Sequence, residues 1–314
     1  MKILVTGCAG FIGANFVEYI LDRYPDDKVV GIDCLTYAAN KKALSLLEEK
    51  QNFSFYYNNI CDREAIDRIF FIERPDVVVN FAAESHVDRS IFDSSLFLQT
   101  NVIGTGVLLD ASMKYEVKRF HQVSTDEVYG DVDICSEIKF TEESILNPSS
   151  PYSASKAAAD LLACSYMKTH GLPVSISRSS NNYGKYQHEE KLIPMTIKRV
   201  LSDEPMTVYG DGKNMRDWIY VMDNCTAIDL IIRAGECDIY NIGADNQWAN
   251  IDLVKKIMTL LGNPNGELEF VEDRKGHDRK YSISSEKIKK LGWKPSAEFD
   301  RELESTVEWY KDNK

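Results

Sequence analysis

Residues 2–33 constrain the fold more than any other stretch. Lys2–Thr6 is a short apolar run with β-branched residues, readable as a buried strand. Gly7-Cys8-Ala9-Gly10-Phe11-Ile12-Gly13 follows at once, and Phe11, Ile12, Phe16, Val17, Ile20 and Leu21 then recur at helical spacing. A second strand over residues 28–32 leads into Asp33. Strand, glycine turn, helix, strand and acid form the opening of a dinucleotide-binding unit. Gly7, Gly10 and Gly13 let the backbone approach a pyrophosphate, which sits on the helix N-terminus at Phe11 and Ile12. The Asp33 carboxylate can accept bonds from an adenosine ribose and repels a 2′-phosphate, so NAD is favoured over NADP.

Helix and strand patterns then alternate. Strands are expected at Phe53–Tyr57 and residues 76–82, 119–124 and 174–177, and helices at residues 44–50, Arg63–Glu73, 94–115 and the stretch opened by Pro151. Beyond about residue 180 the rhythm changes: a helix over 191–201, a strand at Met206–Tyr209, a turn at Gly210-Asp211-Gly212. Residues 218–221 read as a return to the first lobe and 238–242 as a further sheet strand, with helices at 250–261, 286–291 and 301–311. The expectation is an α/β chain with a doubly wound, Rossmann-like parallel sheet and a smaller, interleaved C-terminal substrate domain. A cofactor domain covers 1–180 with 217–243 returning to it, and a substrate domain covers 181–216 and 244–314.

Composition narrows the class. A net charge of −12 opposes general binding to nucleic acid or to an anionic membrane, and no apolar run approaches a membrane span. With the first strand starting at residue 2, no signal peptide is expected, and the seven cysteines are scattered without a C-x-x-C pair. Reduced thiols and a cytoplasmic location are expected. No second His or Cys stands at ligand spacing from His86, so no metal site is expected.

The chemistry is carried by two segments. Tyr152 and Lys156 stand at i and i+4, which places phenol and ammonium on one helix face. A cation beside a phenol favours the phenolate and makes it a usable base. Ser124 or Thr125 can add a hydroxyl, and Asp126 and Glu127 set two carboxyl groups beside the same site. Oxidation of an alcohol does not require that acidic pair. A reaction that protonates one atom and deprotonates another does.

With these motifs on the page, the chain resembles the extended short-chain dehydrogenase/reductases, and among them the nucleotide-sugar 4,6-dehydratases, most of all those acting on dTDP-glucose. The resemblance rests on residues 7–13, 35–38, 80–90, 100–102, 124–131, 150–156, 181–184, 191–194, 216–218 and 276–279. It implies NAD held by Gly7, Gly10, Phe11, Ile12, Gly13, Asp33, Asn59, Ile60, Ala82, Tyr152 and Lys156. It implies Tyr152 as base toward the sugar C4 hydroxyl with Lys156 as its electrostatic partner, and Thr125 bonded to the C4 oxygen. Glu127 would remove the C5 proton and Asp126 would protonate the departing C6 hydroxyl. Ser85, His86, Asn181, Lys191, Arg216, Asn250, Arg279 and Tyr281 would hold the nucleoside-diphosphate hexose, and the assembly would be a homodimer. Asn59, Lys185, His188, Glu189, Ala244 and Gln247 depart from the usual pattern, so a substrate such as UDP-GlcNAc or UDP-glucose stays open. So does a 4-epimerase, which needs Tyr-x-x-x-Lys but not the acidic pair.

Overall fold

The structure is a computed structural model and describes residues 1–313. Its strands, in chain order, are β1 Lys2–Thr6, β2 Lys28–Asp33, β3 Phe53–Tyr57, β4 Val77–Asn80, β5 Arg119–Thr125, β6 Val174–Ser179, β7 Asn181–Tyr183, β8 Met206–Tyr209, β9 Met215–Tyr220, β10 Ile239–Ile242, β11 Gln247–Ala249 and β12 Leu268–Val271. Seven of them form one parallel sheet in the order β10-β6-β5-β4-β1-β2-β3. Its inner strands are buried on both faces. Ile3, Val5, Val29, Val77 and Val79 join the core on one side, and Leu4, Val30, Ile32, Val78 and Phe120 join the core on the other. The period of two along each strand therefore feeds two apolar layers, which is why these segments read as nearly continuous hydrophobic runs.

Helices Phe11–Arg23 and Val221–Ala234 pack together over the first layer, and Arg63–Glu73, Thr105–Lys114 and Pro151–His170 over the second. A smaller lobe has its own core, in which Ile193 and Ile197 meet Leu253, Ile257, Leu303 and Val307 around Tyr183 and Trp218. Asp223, in the first turn of Val221–Ala234, ties the C-terminal segment down. Its carboxylate accepts from Ser296 N at 3.0 Å, Ser296 Oγ at 2.8 Å and Ala297 N at 3.0 Å. The chain is thus a doubly wound α/β fold whose smaller lobe is threaded in and out of the larger.

One expectation is corrected. The single helix expected over 94–115 is broken: Ser95–Phe97 and Thr105–Lys114 are α-helical, and Leu98–Gly104 between them is a π-helix. The wider turn aims buried Asn101 at its partners. Its Nδ2 donates to Glu84 O at 3.0 Å and Ser155 Oγ at 2.8 Å, and its Oδ1 accepts from Glu84 N at 2.9 Å. Residues 218–220 lie in β9, outside the large sheet. β9 instead pairs with β7 and β11 in a three-stranded sheet, and the return runs through the Val221–Ala234 helix into β10. The sequence reading did not assign that helix, although Val221, Cys225, Ile228 and Ile232 recur at helical spacing.

Candidate functional site

Strand order reverses between β1 and β4, and the crevice at their C-terminal ends is where an open parallel sheet accepts a ligand. Gly7 turns the chain at φ 67°, in the left-handed region, and its N–H donates to Ile32 O at 2.8 Å. A Cβ on Gly7 would lie 2.7 Å from Ala82 N, and one on Gly13 would lie 2.1 Å from Gly7 O. Gly10 caps the Phe11–Arg23 helix without a side-chain bond, and the first turn holds no acid. The first-turn N–H groups, including those of Phe11 and Ile12, are therefore left for an anion. The Asp33 carboxylate is pinned at the crevice by Leu35 N at 2.8 Å and Ala9 N at 3.0 Å. Burial raises it from the ordinary carboxylate value, and those N–H bonds oppose the rise. Ile60 is buried against Gly104, and Asn59 is exposed with its Oδ1 accepting from Cys61 N at 2.8 Å. This donor set fits a dinucleotide: close backbone, unpaired helical N–H groups and a ribose acceptor.

The second cluster lies at the end of β5. Thr125 caps the 3-10 turn Asp126–Tyr129, with Oγ1 accepting from Glu127 N at 3.3 Å and donating to Asp126 Oδ1 at 3.3 Å. Tyr152 occupies the first turn of Pro151–His170, a helix started by Pro151 and by a reciprocal Ser150–Ser153 capping box. Its N–H donates to Ser90 Oγ at 3.2 Å, and its ring meets the edge of Phe97 at 6.4 Å. Burial raises the phenol, with Glu127 and Asp126 adding to the rise and a hydrogen bond with Thr125 opposing it. Lys156, one turn on, is buried with Nζ donating to Val123 O at 2.6 Å, and burial pulls it down to about 8.

The two carboxyl groups differ sharply in surroundings. Asp126 is 2% exposed, its Oδ2 has no hydrogen-bond partner, and burial followed by the charges of Glu127 and Asp217 drives it well above the ordinary value. Glu127 is also raised by burial, but Arg274, Arg216 and Lys191 all pull it back. Both carboxyls are pushed up by burial, Asp126 further by neighbouring carboxylates and Glu127 less because three cations oppose the rise, a difference in surroundings of the kind that acid and base roles require.

A cleft of about 200 Å³ opens from Glu127 and is lined by His86, Asn181, Lys191, Arg216, Asn250 and Tyr281. Arg216 is buried, donates to Asp278 O at 2.8 Å and lies 4.2 Å from the centre of the Tyr281 ring. Lys191 Nζ donates to Ser85 O at 2.9 Å. His86 faces Glu190 at 3.4 Å, and desolvation lowers its imidazole. The buried Oδ1 of Asn250 has no partner. Ser85 and Arg279 stand outside this lining, and Arg279 grips Asp211 with two bonds of 2.9 and 3.0 Å. The cation that lines the cleft instead is Arg274, which the sequence did not single out although it lies two residues before the Gly276-His277-Asp278-Arg279 block. Glu190, next to Lys191, was passed over in the same way. Among the described residues, no three His, Cys, Asp or Glu side chains gather as a metal site, and no helix is long and apolar enough to cross a membrane.

Comparison with known proteins agrees with this geometry. The profile of the GDP-mannose 4,6 dehydratase family matches residues 4–306. The low-salt glycan biosynthesis protein Agl12 of Haloferax volcanii is 49% identical over 99% of this chain and 98% of its own length. The dTDP-glucose 4,6-dehydratase of Haemophilus influenzae is 46% identical over 99% of this chain and 98% of its own. DesIV, a dTDP-glucose 4,6-dehydratase from Streptomyces venezuelae crystallised with NAD bound, superposes with a TM-score of 0.96 at 43% identity, covering 100% of this chain and 98% of that one. With the glycine turn, the Tyr152–Lys156 pair and the buried carboxyl pair in place, the chain belongs to the extended short-chain dehydrogenase/reductases as a dTDP-glucose 4,6-dehydratase-like nucleotide-sugar dehydratase.

Proposed function

We propose that this protein is an NAD-dependent hydro-lyase that converts a nucleoside-diphosphate hexose, dTDP-glucose by likeness to its relatives, to the 4-keto-6-deoxy sugar with loss of water. The observation that carries the reading is the buried Asp126–Glu127 pair beside Tyr152, with one carboxyl pushed up by burial and neighbouring carboxylates and the other faced by three cations. When bound, NAD supplies a hydride acceptor at C4 and a hydride donor at C6, so it is regenerated within one cycle. It would be held by the Gly7–Gly10–Gly13 turn, the N–H groups of Phe11 and Ile12, and Asp33, with Asn59, Ile60 and Ala82 lining the adenosine side.

Tyr152, as a phenolate stabilised by the Lys156 ammonium, takes the proton of the C4 hydroxyl and becomes the neutral phenol. Thr125 shares a hydrogen bond with that phenol and orients the C4 oxygen. The C4 ketone acidifies the C5 proton, which Glu127 removes. Asp126, which burial pushes toward the protonated form, gives its proton to the C6 hydroxyl so that it leaves as water, and Glu127 returns a proton to C5, after exchange with solvent, to complete the product. At the nucleotide end Lys191, Arg216 and Arg274 supply positive charge for the diphosphate, and Asn250 Oδ1 offers a buried acceptor. Ser85, His86, Asn181 and Tyr281 complete the wall, and Arg279 reinforces the site through Asp211 and Asn214. In this reading residues 1–180 and 217–243 hold the cofactor, and 181–216 and 244–314 hold the nucleotide sugar.

The exposed Leu96, Leu98, Ile103 and Leu161, on neighbouring helical segments, support a homodimer built on that face. The scattered free cysteines and the acidic surface support a cytoplasmic location. The test follows hydrogen atoms in product made from C4-deuterated dTDP-glucose. Deuterium found at C6 of the same molecule, with solvent hydrogen at C5, is the expected outcome. Label returned to C4 would mean epimerisation, and label lost to the cofactor pool would mean simple oxidation; either sinks the proposal.

A further inference from the structure

One helical turn beyond Lys156, on the face that carries Tyr152, stands Asp160. It is wholly buried, and its Oδ2 accepts from Nε of Arg178 at 2.9 Å, with Arg178 itself 3% exposed. Arg178 belongs to β6, where it is the register partner of Ser124 in β5. Its Nη1 donates to Tyr129 OH at 2.8 Å, and that hydroxyl donates to Asn241 Oδ1 in β10 at 2.8 Å. Tyr129 closes the same short turn that begins with Asp126 and Glu127. The pair thus joins the base-bearing helix, three strands and the acidic turn at one point.

A buried ion pair is an expensive way to join a helix to a sheet. Each ion loses several kcal/mol of hydration, and well-packed apolar side chains of similar volume serve as well or better. What an apolar pair cannot provide is a fixed negative charge one turn from Lys156. We propose that Asp160, held by Arg178, is a positioning residue that keeps Lys156 in its ammonium form beside Tyr152; the inference rests on the proposed role of Tyr152 and Lys156.

The surroundings agree. Burial lowers Lys156, and Asp160 is the charge that opposes it. Burial raises Asp160, and the charges of Arg178 and Lys156 and a hydrogen bond from the Ser124 hydroxyl oppose the rise. The groups facing this cluster are Tyr152 and Cys164 from its own helix, Ser124 and the Val123 carbonyl from β5, Arg178 from β6, and Asp126, Glu127 and Tyr129 from the turn. From the π-helix comes neutral Asn101, bonded to Ser155. Asp126 and Glu127 act on Tyr152, whereas Asp160 acts on both Tyr152 and Lys156.

The test compares wild type, D160N, D160E and the double variant D160N/R178M in the holoenzyme. Readouts are melting temperature, KM for dTDP-glucose, and the pH profile of the first step, followed as reduced-nicotinamide absorbance in a single turnover. An opposite charge at close range moves a pKa by roughly 1–3 units. The alkaline limb of the first step should therefore move at least about one pH unit lower in D160N. At pH 8 the first step should slow about tenfold, with KM unchanged. D160E should recover most of the limb. D160N/R178M, which removes the unpaired cation, should regain melting temperature without regaining the limb, and it serves alone if D160N does not fold. An unmoved limb in the double variant, or a limb that recovers together with its melting temperature, would make the pair structural and overturn the inference. Failure of the dehydratase reading would show separately, as wild-type enzyme that yields no 4-keto-6-deoxy product.

Discussion

Replacing Gly13 with alanine tests the cofactor turn at one atom. The added Cβ would stand 2.1 Å from Gly7 O and 2.9 Å from Gly7 C, both backbone atoms that no rotamer change can move. Relieving the clash requires the helix and the turn to separate by about 1 Å, the order of shift that overpacking forces on a close-packed interior. The helix is anchored by Phe16, Val17 and Ile20, each 0% exposed, and the turn by the 2.8 Å bond from Gly7 N to Ile32 O. Overpacking of this kind costs about 1–3 kcal/mol. Alanine returns up to about 1 kcal/mol of helix propensity, so the net cost is of order 1–2 kcal/mol. For a chain of this size that corresponds to a melting temperature lower by about 2–5 °C.

The loss in binding is larger. Two misaligned N–H bonds to an anion, at roughly 1.5–3 kcal/mol each, weaken NAD by about 10²–10⁴-fold. Gly10→Ala is the control, because its Cβ would meet Gly7 O at 3.2 Å, a tight contact that a few tenths of an ångström relieve. The assay is NAD released on denaturing the dialysed protein, with melting curves run with and without added NAD. Gly13→Ala that retains wild-type NAD and wild-type melting temperature would refute the steric argument.

Glu127→Gln should leave C4 oxidation intact while product formation falls about 10²–10⁴-fold, so an enzyme-bound reduced-nicotinamide signal accumulates with substrate; unchanged turnover would remove Glu127 from its role. Lys156 is lowered from an ordinary 10.5 to about 8, so between those values the unfolded chain binds the proton that the folded chain has released. Stability from this group therefore rises with pH across that window, by about 1.4 kcal/mol per unit at most, while activity falls as the ammonium is lost. Denaturant titrations of wild type and Lys156→Met at pH 8 and 9 should show the gap shifting toward wild type, and a gap independent of pH would contradict it. Asp223→Ala leaves Ser296 N, Ser296 Oγ and Ala297 N without their acceptor, a loss of about 3 kcal/mol or more. Limited proteolysis should then cut first near residue 296, and a protease pattern like that of wild type would count against the clamp.

Residue order by itself determined the layers of the fold and the place of the chemistry. Glycines at 7, 10 and 13 between two β-branched runs admit few structures besides a tight turn into a helix, and apolar runs of strand length between helical patterns dictate a parallel sheet with both faces covered. Tyr152 and Lys156 were legible because i, i+4 is a local rule, and Thr125, Asp126 and Glu127 because a strand leads straight into them. What sequence could not decide depends on groups brought from far along the chain. Asp126 and Glu127 are neighbours of nearly equal intrinsic acidity. They part because Asp217 adds to the burial of Asp126, whereas Lys191 and Arg274 oppose the burial of Glu127; Arg216 pulls on both. Arg274 rather than Arg279 lines the cleft because Asp211 grips Arg279. The π-helix at Leu98–Gly104 follows from where Asn101 must reach. Asp160 stood in plain view one turn past Lys156, but its burial against Arg178 is a property of β6 lying beneath the helix. Periodicity and turn chemistry are local and survive in one dimension. Desolvation and Coulomb interactions depend on three-dimensional neighbours, and only the tertiary structure supplies those.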